Sequence, residues 1–210
     1  MTTSLDTALA HLSAADPVLA EIIANATERP TFTPHTNYYQ AIVDSIVSQQ
    51  LSVKAAATIQ KRFNALFDDE NTTPTPSQIL TKDVEEYRAI GLSRPKAGYI
   101  LDLAYKVADN IVVFDHLETL SNEEIIADLT QIKGVGEWTV HMFLMFCMGR
   151  LDVLPVGDLG IQNGVRMNYG FSEKPLPKEV AAIAAANNWH PYESVASWFM
   201  WHSLDNKPTL

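Results

Sequence analysis

Apolar residues recur every three or four positions along almost the whole chain, the spacing that lines one face of an α-helix. One such face follows Ser52, a favoured helix N-cap, and comprises Val53, Ala56, Ile59, Phe63 and Leu66. No run of alternating β-branched residues bounded by turn residues interrupts this pattern. The sequence therefore predicts an all-α fold.

Proline and glycine mark where the predicted helices begin and end. Proline starts a helix well and disfavours helical geometry in the residue before it, so Asp16-Pro17 is expected to divide residues 5–24 into two helices. Gly91 is expected to end a helix over 84–90. Further helices are predicted over 38–49, 95–107, 123–131 and 137–148, and the last, apolar nearly all round, is expected in the core.

Composition limits the classes of protein that this chain of 210 residues fits. It is 47% apolar and 19% charged, which provides a sizeable core and indicates one domain or two closely packed lobes. The formal net charge of −10 argues against a protein that coats nucleic acid by bulk electrostatics, so a polyanion needs a local site. The single Cys147 excludes a disulfide framework, a four-thiolate zinc site and an intramolecular cysteine-ligated iron–sulfur cluster.

Neither a membrane span nor a secretory signal is expected. No stretch approaches 18 consecutive apolar residues, the length that crosses a bilayer. Residues 1–14 carry no Lys or Arg and no continuous apolar run. We expect no membrane partner, a reducing compartment and, if the source is bacterial, a cytoplasmic location at the nucleoid.

A glycine turn at Lys133, Gly134, Val135 and Gly136 joins two helical segments. Such a turn exposes backbone N–H groups at the positive end of the second helix, which suits a phosphate, and Lys133 adds a further contact. The alternative is a compact helical hairpin in which glycine only permits close packing. The turn by itself does not decide, because short glycine motifs are weak signals.

Asp158 follows Pro155, Val156 and Gly157 and precedes an apolar helical pattern. Its simplest role is that of a helix N-cap. A carboxylate at a helix start is also kept ionised by the helix dipole and is able to stabilise a developing cation. Taken alone, Asp158 is better explained as a cap.

Trp138, Trp189 and the segment Gln49-Gln50-Leu51 each have two interpretations. A single tryptophan is usually part of a core, but several aromatic faces in one pocket suit stacking of a flat, electron-poor or cationic base. The segment is either a plain link between two helices or a wedge that fills the gap where a base has left a duplex. Residue types alone favour a core position for each tryptophan and a plain link for the 49–51 segment.

Five segments, taken in order, resemble the helix-hairpin-helix DNA glycosylases with a Gly/Pro-rich loop and an aspartate, and most closely their 3-methyladenine DNA glycosylase II branch. The segments are IVSQQLS at 46–52, IGLSRPKA at 90–97, IKGVGEWT at 132–139, VLPVGDLG at 153–160 and WHPY at 189–192. The resemblance as a whole covers most of the chain. One segment would be weak support, whereas five in order are strong.

The resemblance implies a role for each matching residue. Asp158 is expected to be the catalytic carboxylate, and Trp138 and Trp189 are expected to line the base pocket. Gly134 and Gly136 are expected to hold the backbone against a phosphate. The wedge is expected within Gln49, Gln50 and Leu51, with Gln50 slightly favoured over Leu51.

The resemblance also implies a monovalent cation, Na⁺ or K⁺, bound by the backbone carbonyls of Thr130, Ile132 and Val135, and no cofactor that the reaction requires. Relatives that also cut the DNA backbone carry a lysine where this chain has Trp138. An amine forms a Schiff base with the sugar and an indole does not, so a glycosylase without lyase activity is expected.

The expected architecture is two helical lobes with a cleft between them. One lobe covers 36–148 and includes the helix-hairpin-helix, and the other covers 1–35 and 149–210 and carries Asp158. The expected partner is double-stranded DNA that contains alkylated purines, bound by a monomer. Two alternatives remain open from the sequence: a DNA- or lesion-binding protein without chemistry, and a helical interaction module that binds no nucleic acid.

Overall fold

In a computed structural model, residues 4–35, 37–67 and 72–205 are described, and every regular element among them is helical. This confirms the predicted all-α fold. The α-helices are α1 (Ser4–Ala15), α2 (Pro17–Asn25), α3 (Tyr38–Ser48), α4 (Val53–Ala65), α5 (Pro76–Ile79), α6 (Val84–Ala89), α7 (Arg94–Ala108), α8 (Asn122–Leu129), α9 (Glu137–Met142), α10 (Leu159–Asn168), α11 (Pro177–Ala186) and α12 (Glu193–Asp205). A 3₁₀ turn covers Leu117–Thr119 and a π-helical turn covers Phe143–Cys147.

Several helices begin where the sequence predicts, because their first N–H groups need a side-chain acceptor. Asp16 caps α2, with Pro17 in its first turn, and so separates α1 from α2. Ser52 caps α4 and Ser93 caps α7. Gly91 has φ +106° and follows the end of α6. The predicted breaks at Asp16-Pro17 and Gly91 are confirmed.

The predicted helix over 137–148 is wrong in its second half. α9 ends at Met142, and Phe143–Cys147 continues as a π-helical turn. The interior of this segment is buried, including Val140, Leu144 and Met145, but Trp138 in its first turn is 55% exposed. Apolar composition predicted burial without revealing the change of helical pitch or the exposed indole.

The chain divides into two compact units. The first comprises the described residues of Met1–Pro34 and Leu144–Leu210, and the second comprises those of His35–Phe143. The boundary between the second unit and the C-terminal part of the first unit falls between Phe143 and Leu144, within the π-helical turn. The sequence placed this boundary after Met148. The predicted first lobe begins at Thr36, which lies outside the described residues.

The first unit is built on α1, α2, α10, α11 and α12, and α10 packs against α12. Its core consists of Ala8, Leu9, Leu12, Leu19, Ile161, Val165, Val180, Ala184, Trp189, Val195, Ala196, Phe199 and Met200. The second unit is centred on α7, which packs against α3, α5 and α6. No helix among the described residues is long and apolar enough to span a membrane.

Candidate functional site

Asp158 is the N-cap of α10 and is half-buried. Its Oδ1 accepts a hydrogen bond from the Ile161 N–H at 2.8 Å, which confirms the predicted capping role. The turn before it is closed by the Asp158 N–H, which donates to the Pro155 carbonyl at 2.9 Å. The carboxylate is therefore held at the start of α10, where the helix dipole favours negative charge.

Trp201 on α12 fixes the same carboxylate. Its Nε1–H donates to Asp158 Oδ1 at 2.7 Å. Gly160 makes this approach possible, because a Cβ at that position would lie 2.6 Å from Trp201 Cδ1 and 3.0 Å from Asp158 Oδ1. Gly164 lies four residues later on the same face of α10, and a Cβ added there would lie 2.5 Å from the Met200 carbonyl oxygen.

The sequence did not predict the contact of Trp201 with Asp158. The two glycines four residues apart, Gly160 and Gly164, are the sequence signal that could have revealed it. Small residues at this spacing let a second helix approach closely, which places the aromatic α12 against the start of α10.

Trp189 is a buried core residue in this structure, which differs from the pocket position predicted for it. Its side chain is fully buried in the core of the first unit. Its Nε1–H donates to Asp16 Oδ2 at 2.8 Å, and the Tyr169 hydroxyl donates to the same oxygen. Asp16 is itself buried and also caps α2. Trp189 thus satisfies a buried carboxylate and is not available to stack on a base.

The second unit contains a cavity of about 640 Å³ beside Trp138. Hydroxyl, amide, thioether and indole groups line it, from Ser45, Ser48, Gln49, Gln50, Gly134, Trp138, Thr139 and Met142. None of these described lining residues is acidic or basic. The cavity joins the predicted 49–51 loop, the glycine turn and Trp138 into one surface.

The 49–51 loop connects α3 to α4 and presents two exposed residues. Gln50 adopts the left-handed backbone conformation, with φ +57°, and is exposed, and Leu51 is 39% exposed. Gln49 points elsewhere: its Nε2 donates to the Gly134 carbonyl at 2.9 Å. Gln50 and Leu51 are thus the exposed residues of the loop, whereas Gln49 is held against the turn and also lines the cavity.

Gly134 is required at the glycine turn for two reasons. Its φ is +81°, and a Cβ would lie 2.1 Å from the Tyr99 ring. The Lys133 N–H donates to Asp102 Oδ2 at 2.9 Å and the Val135 N–H donates to the Ile132 carbonyl at 3.0 Å. Within the described part of the chain, the Gly134 and Gly136 N–H groups donate to no partner.

Asp102 on α7 is the anchor of this turn, and the sequence analysis missed it. Its side chain is 12% exposed. Besides accepting the Lys133 N–H, the carboxylate forms ion pairs with the ammonium groups of Lys106 and Lys133. Burial raises the pKa of Asp102, but the hydrogen bonds from Lys106 and from the Lys133 backbone outweigh burial, and the pKa lies below its usual range. Asp102 therefore holds the turn as a carboxylate.

The hydrogen bonding of the turn leaves carbonyl oxygens that could hold an alkali cation. Among the described residues, the Thr130 and Val135 carbonyls accept no hydrogen bond, and the Ile132 carbonyl accepts one, from Val135. Carbonyl oxygen is the ligand type that replaces the hydration shell of K⁺. The described residues contain no cluster of His, Cys, Asp or Glu suited to a metal ion.

Comparison with known proteins identifies the family of this chain. Residues 43–188 match the model of a protein family described as the HhH-GPD superfamily of base excision DNA repair proteins. The chain belongs to this superfamily. The match includes the 49–51 loop, the glycine turn and Asp158, and it ends just before the segment at 189–192. The predicted family resemblance is confirmed.

Individual members of the HhH-GPD superfamily are similar over nearly the full length. The alkylbase DNA glycosidase-like protein mag2 of Schizosaccharomyces pombe is 33% identical, over 91% of this chain and 90% of mag2. The S. pombe 3-methyladenine DNA glycosylase Mag1, solved in complex with abasic DNA, is 33% identical with a TM-score of 0.79, covering 95% of this chain and 97% of that one. A DNA-3-methyladenine glycosidase structure from Bacillus halodurans is 36% identical with a TM-score of 0.82, covering 95% and 89%.

Proposed function

We propose that this protein is a DNA glycosylase of base excision repair that hydrolyses the N-glycosidic bond of alkylated purines and leaves an abasic site. The observation that carries the proposal is the Asp158 carboxylate, held at the start of α10 by the Ile161 N–H and the Trp201 indole. The names of the similar proteins support the substrate class: a 3-methyladenine DNA glycosylase, a DNA-3-methyladenine glycosidase and an alkylbase DNA glycosidase-like protein.

The reaction depends on stabilising the positive charge that develops on the sugar more than on a general acid that protonates the leaving base. The target nucleotide is flipped out of the duplex, because its glycosidic bond is inaccessible within the stack. Alkylation at N3 or N7 makes the purine cationic, so it departs as a neutral base with the bonding electron pair. Water adds to C1′ and releases its proton to solvent. Asp158 stabilises the positive charge that develops on the sugar.

Trp138 recognises the departing base in this proposal. It is half exposed and lines the cavity of the second unit, and an indole face attracts a flat cation. A cation–π contact is worth about 0.5–2 kcal/mol, which gives modest discrimination and a broad range of alkylated bases.

Trp138 also supports a glycosylase without lyase activity. Lyase chemistry begins with an amine that attacks the sugar, and no described residue lining the cavity is a lysine. We infer that the product is an abasic site in an intact strand.

The second unit supplies the contacts to duplex DNA. The Gly134 and Gly136 N–H groups bind a phosphate, with Lys133 beside them. Gln50, or Leu51 beside it, fills the gap that the flipped base leaves. A monovalent cation would be held by the Thr130, Ile132 and Val135 carbonyls and would add positive charge near that phosphate. Double-stranded DNA is the partner, bound by a monomer.

The test is release of free base from methylated duplex DNA by the wild type and by Asp158→Asn. Asparagine still caps a helix, so the variant is expected to fold, while loss of the charge lowers the rate on the order of 10²–10³-fold, as loss of an electrostatic stabiliser does. Asp152→Asn, an exposed residue of the same segment, is the matched control. Strand breaks that form only after alkali treatment support the absence of lyase activity.

Four results contradict the proposal in different ways. Full activity of Asp158→Asn removes its catalytic role, and strand breaks without alkali remove the assignment as a glycosylase without lyase activity. Absence of base release by a folded wild type that binds abasic duplex favours a lesion-binding protein instead. Absence of DNA binding even at low salt favours an interaction module.

A further inference from the structure

We propose that Lys96 and Asp102, two charged residues of α7, are positioning residues that hold the 49–51 loop and the 132–136 turn in one fixed register for binding to damaged DNA. This inference rests on the proposed function, because it assigns the loop to the gap left by a flipped base. Neither residue contacts the base or the sugar in the reaction proposed above.

Lys96 fixes the loop. Its Nζ donates to the Val47 carbonyl at 2.8 Å and to the Gln49 carbonyl at 2.6 Å. These carbonyls lie at the end of α3, where the last carbonyls of a helix lack intrahelical partners and favour a cation. Lys96 is half-buried, and burial lowers its pKa from the usual value. Its ammonium is therefore directed into the protein at the point where the loop leaves α3.

Asp102 fixes the turn from the same helix. It accepts the Lys133 N–H and is nearly enclosed. Tyr99, midway between Lys96 and Asp102, packs against Gly134 so closely that no side chain fits there. Six residues of helix span about 9 Å, so α7 sets a fixed spacing between the two anchor points.

Gln49 closes the arrangement. Its Nε2 donates to the Gly134 carbonyl, which links the loop directly to the turn. The loop thus has two attachments, one through its backbone to Lys96 and one through its side chain to the turn that Asp102 holds. Gln50, exposed with a left-handed backbone, is the residue that this framework presents. Preorganisation matters because misplacement by about 1 Å costs on the order of 10²-fold in rate.

The experiment measures lesion discrimination, the ratio of Kd for an undamaged duplex to Kd for the same duplex with a central abasic-site analogue. Lys96→Met keeps the aliphatic stem and removes the ammonium. The variant loses both hydrogen bonds from the ammonium to the carbonyls at the end of α3. The ratio is therefore expected to fall at least about tenfold, while Kd for the undamaged duplex stays unchanged. Lys178→Met, at an exposed position of α11, makes the same change in net charge and should leave both values unaltered.

A salt series separates positioning from a direct phosphate contact. If Lys96 bound a phosphate, its loss would reduce the slope of log K against log salt by about 0.9. Positioning leaves the slope unchanged. A reduced slope, or equal weakening on damaged and undamaged duplex, overturns the inference, as does an unaltered ratio.

Folding and function are controlled separately. If Lys96→Met does not fold, Lys96→Arg keeps the charge but replaces a compact ammonium by a planar fork, and a smaller fall in the ratio is expected. A wild type without any lesion discrimination overturns the inference whatever the variants do. Base release by the wild type is measured in parallel, so a failure of the proposed glycosylase activity shows there and not in the binding ratio.

Discussion

The indole N–H of Trp201 and the carboxylate of Asp158 are joined by a 2.7 Å hydrogen bond that links the last helix to the start of α10. The Ile161 N–H reaches the same oxygen. Two donors on one carboxylate oxygen fix its orientation more strictly than a helix cap alone. The orientation of Asp158 is therefore expected to depend on a residue 43 positions away.

Trp201→Phe removes the N–H and keeps most of the ring. A hydrogen bond to a charged group is worth about 1.5–3 kcal/mol, so single-turnover base release from methylated duplex is expected to fall roughly 10- to 100-fold. Trp198→Phe is the control on the same helix, because Trp198 stacks on His202 instead. An unchanged rate in a Trp201→Phe protein with unaltered unfolding temperature would show that this contact does not orient Asp158.

Trp138→Ala tests the pocket by its selectivity. Loss of one cation–π contact, about 0.5–2 kcal/mol, should lower release of cationic 7-methylguanine about two- to thirtyfold. Release of hypoxanthine, a neutral purine, should fall less, and Trp138→Phe should keep part of the selectivity because it retains an aromatic face. The measurement is the ratio of the two release rates. An equal fall for both bases would assign Trp138 to packing rather than to recognition of charge.

The helices follow from local signals, which is why the sequence predicted them well. Asp16-Pro17 breaks one helix and begins the next, and Ser52 caps α4, because each signal acts within a few residues of chain. Asp158 as a cap was predictable in the same way. The family resemblance added roles that local chemistry does not distinguish from capping.

Contacts between residues distant in sequence were not predictable in this way. Trp189 was expected in a pocket, but it serves Asp16, which is 173 positions away. Lys96 was part of a recognised segment, yet its carbonyl partners, 47 and 49 positions earlier, depend on how α7 packs on α3. A pattern within one helix specifies which face is buried and not which distant group it meets.

Gly134→Ala should damage the glycine turn, and Gly136→Ala should not. At Gly134 a side chain meets both a positive φ and the Tyr99 ring, so the free energy of unfolding should fall by about 1–3 kcal/mol and affinity for abasic duplex should fall with it. At Gly136 a Cβ meets no atom within 4 Å and φ is −95°, so a change within about 0.5 kcal/mol is expected. Denaturant unfolding and duplex titration measure both effects.

Tyr99→Ala combined with Gly134→Ala separates the steric contact with the Tyr99 ring from the backbone strain of a positive φ at position 134. Removal of the ring relieves the steric contact but not the backbone strain, so the double variant should be more stable than the sum of the two single changes predicts. Strict additivity would show that the Tyr99 contact contributes nothing to the requirement for glycine.

His141 on α9 should make stability depend on pH. Its side chain is 11% exposed, and burial lowers its pKa below the usual 6.5, although Glu137, 3.8 Å away, opposes the shift. The unfolded chain then binds a proton at a pH where the folded chain does not, so the free energy of unfolding should fall as pH drops below about 6.5 and level off below the folded-state pKa. Denaturant unfolding between pH 5 and 8, compared with His141→Gln, measures this contribution.

Glu137→Gln provides the opposing control for His141. Without the carboxylate that favours the protonated ring, the pKa of His141 should fall further, and the loss of stability toward low pH should extend over a wider range. Glutamine keeps the length of the side chain in the first turn of α9. A pH profile of His141→Gln that matches the wild type would show that other groups cause the dependence, and a narrower range in Glu137→Gln would contradict the opposing role of the carboxylate.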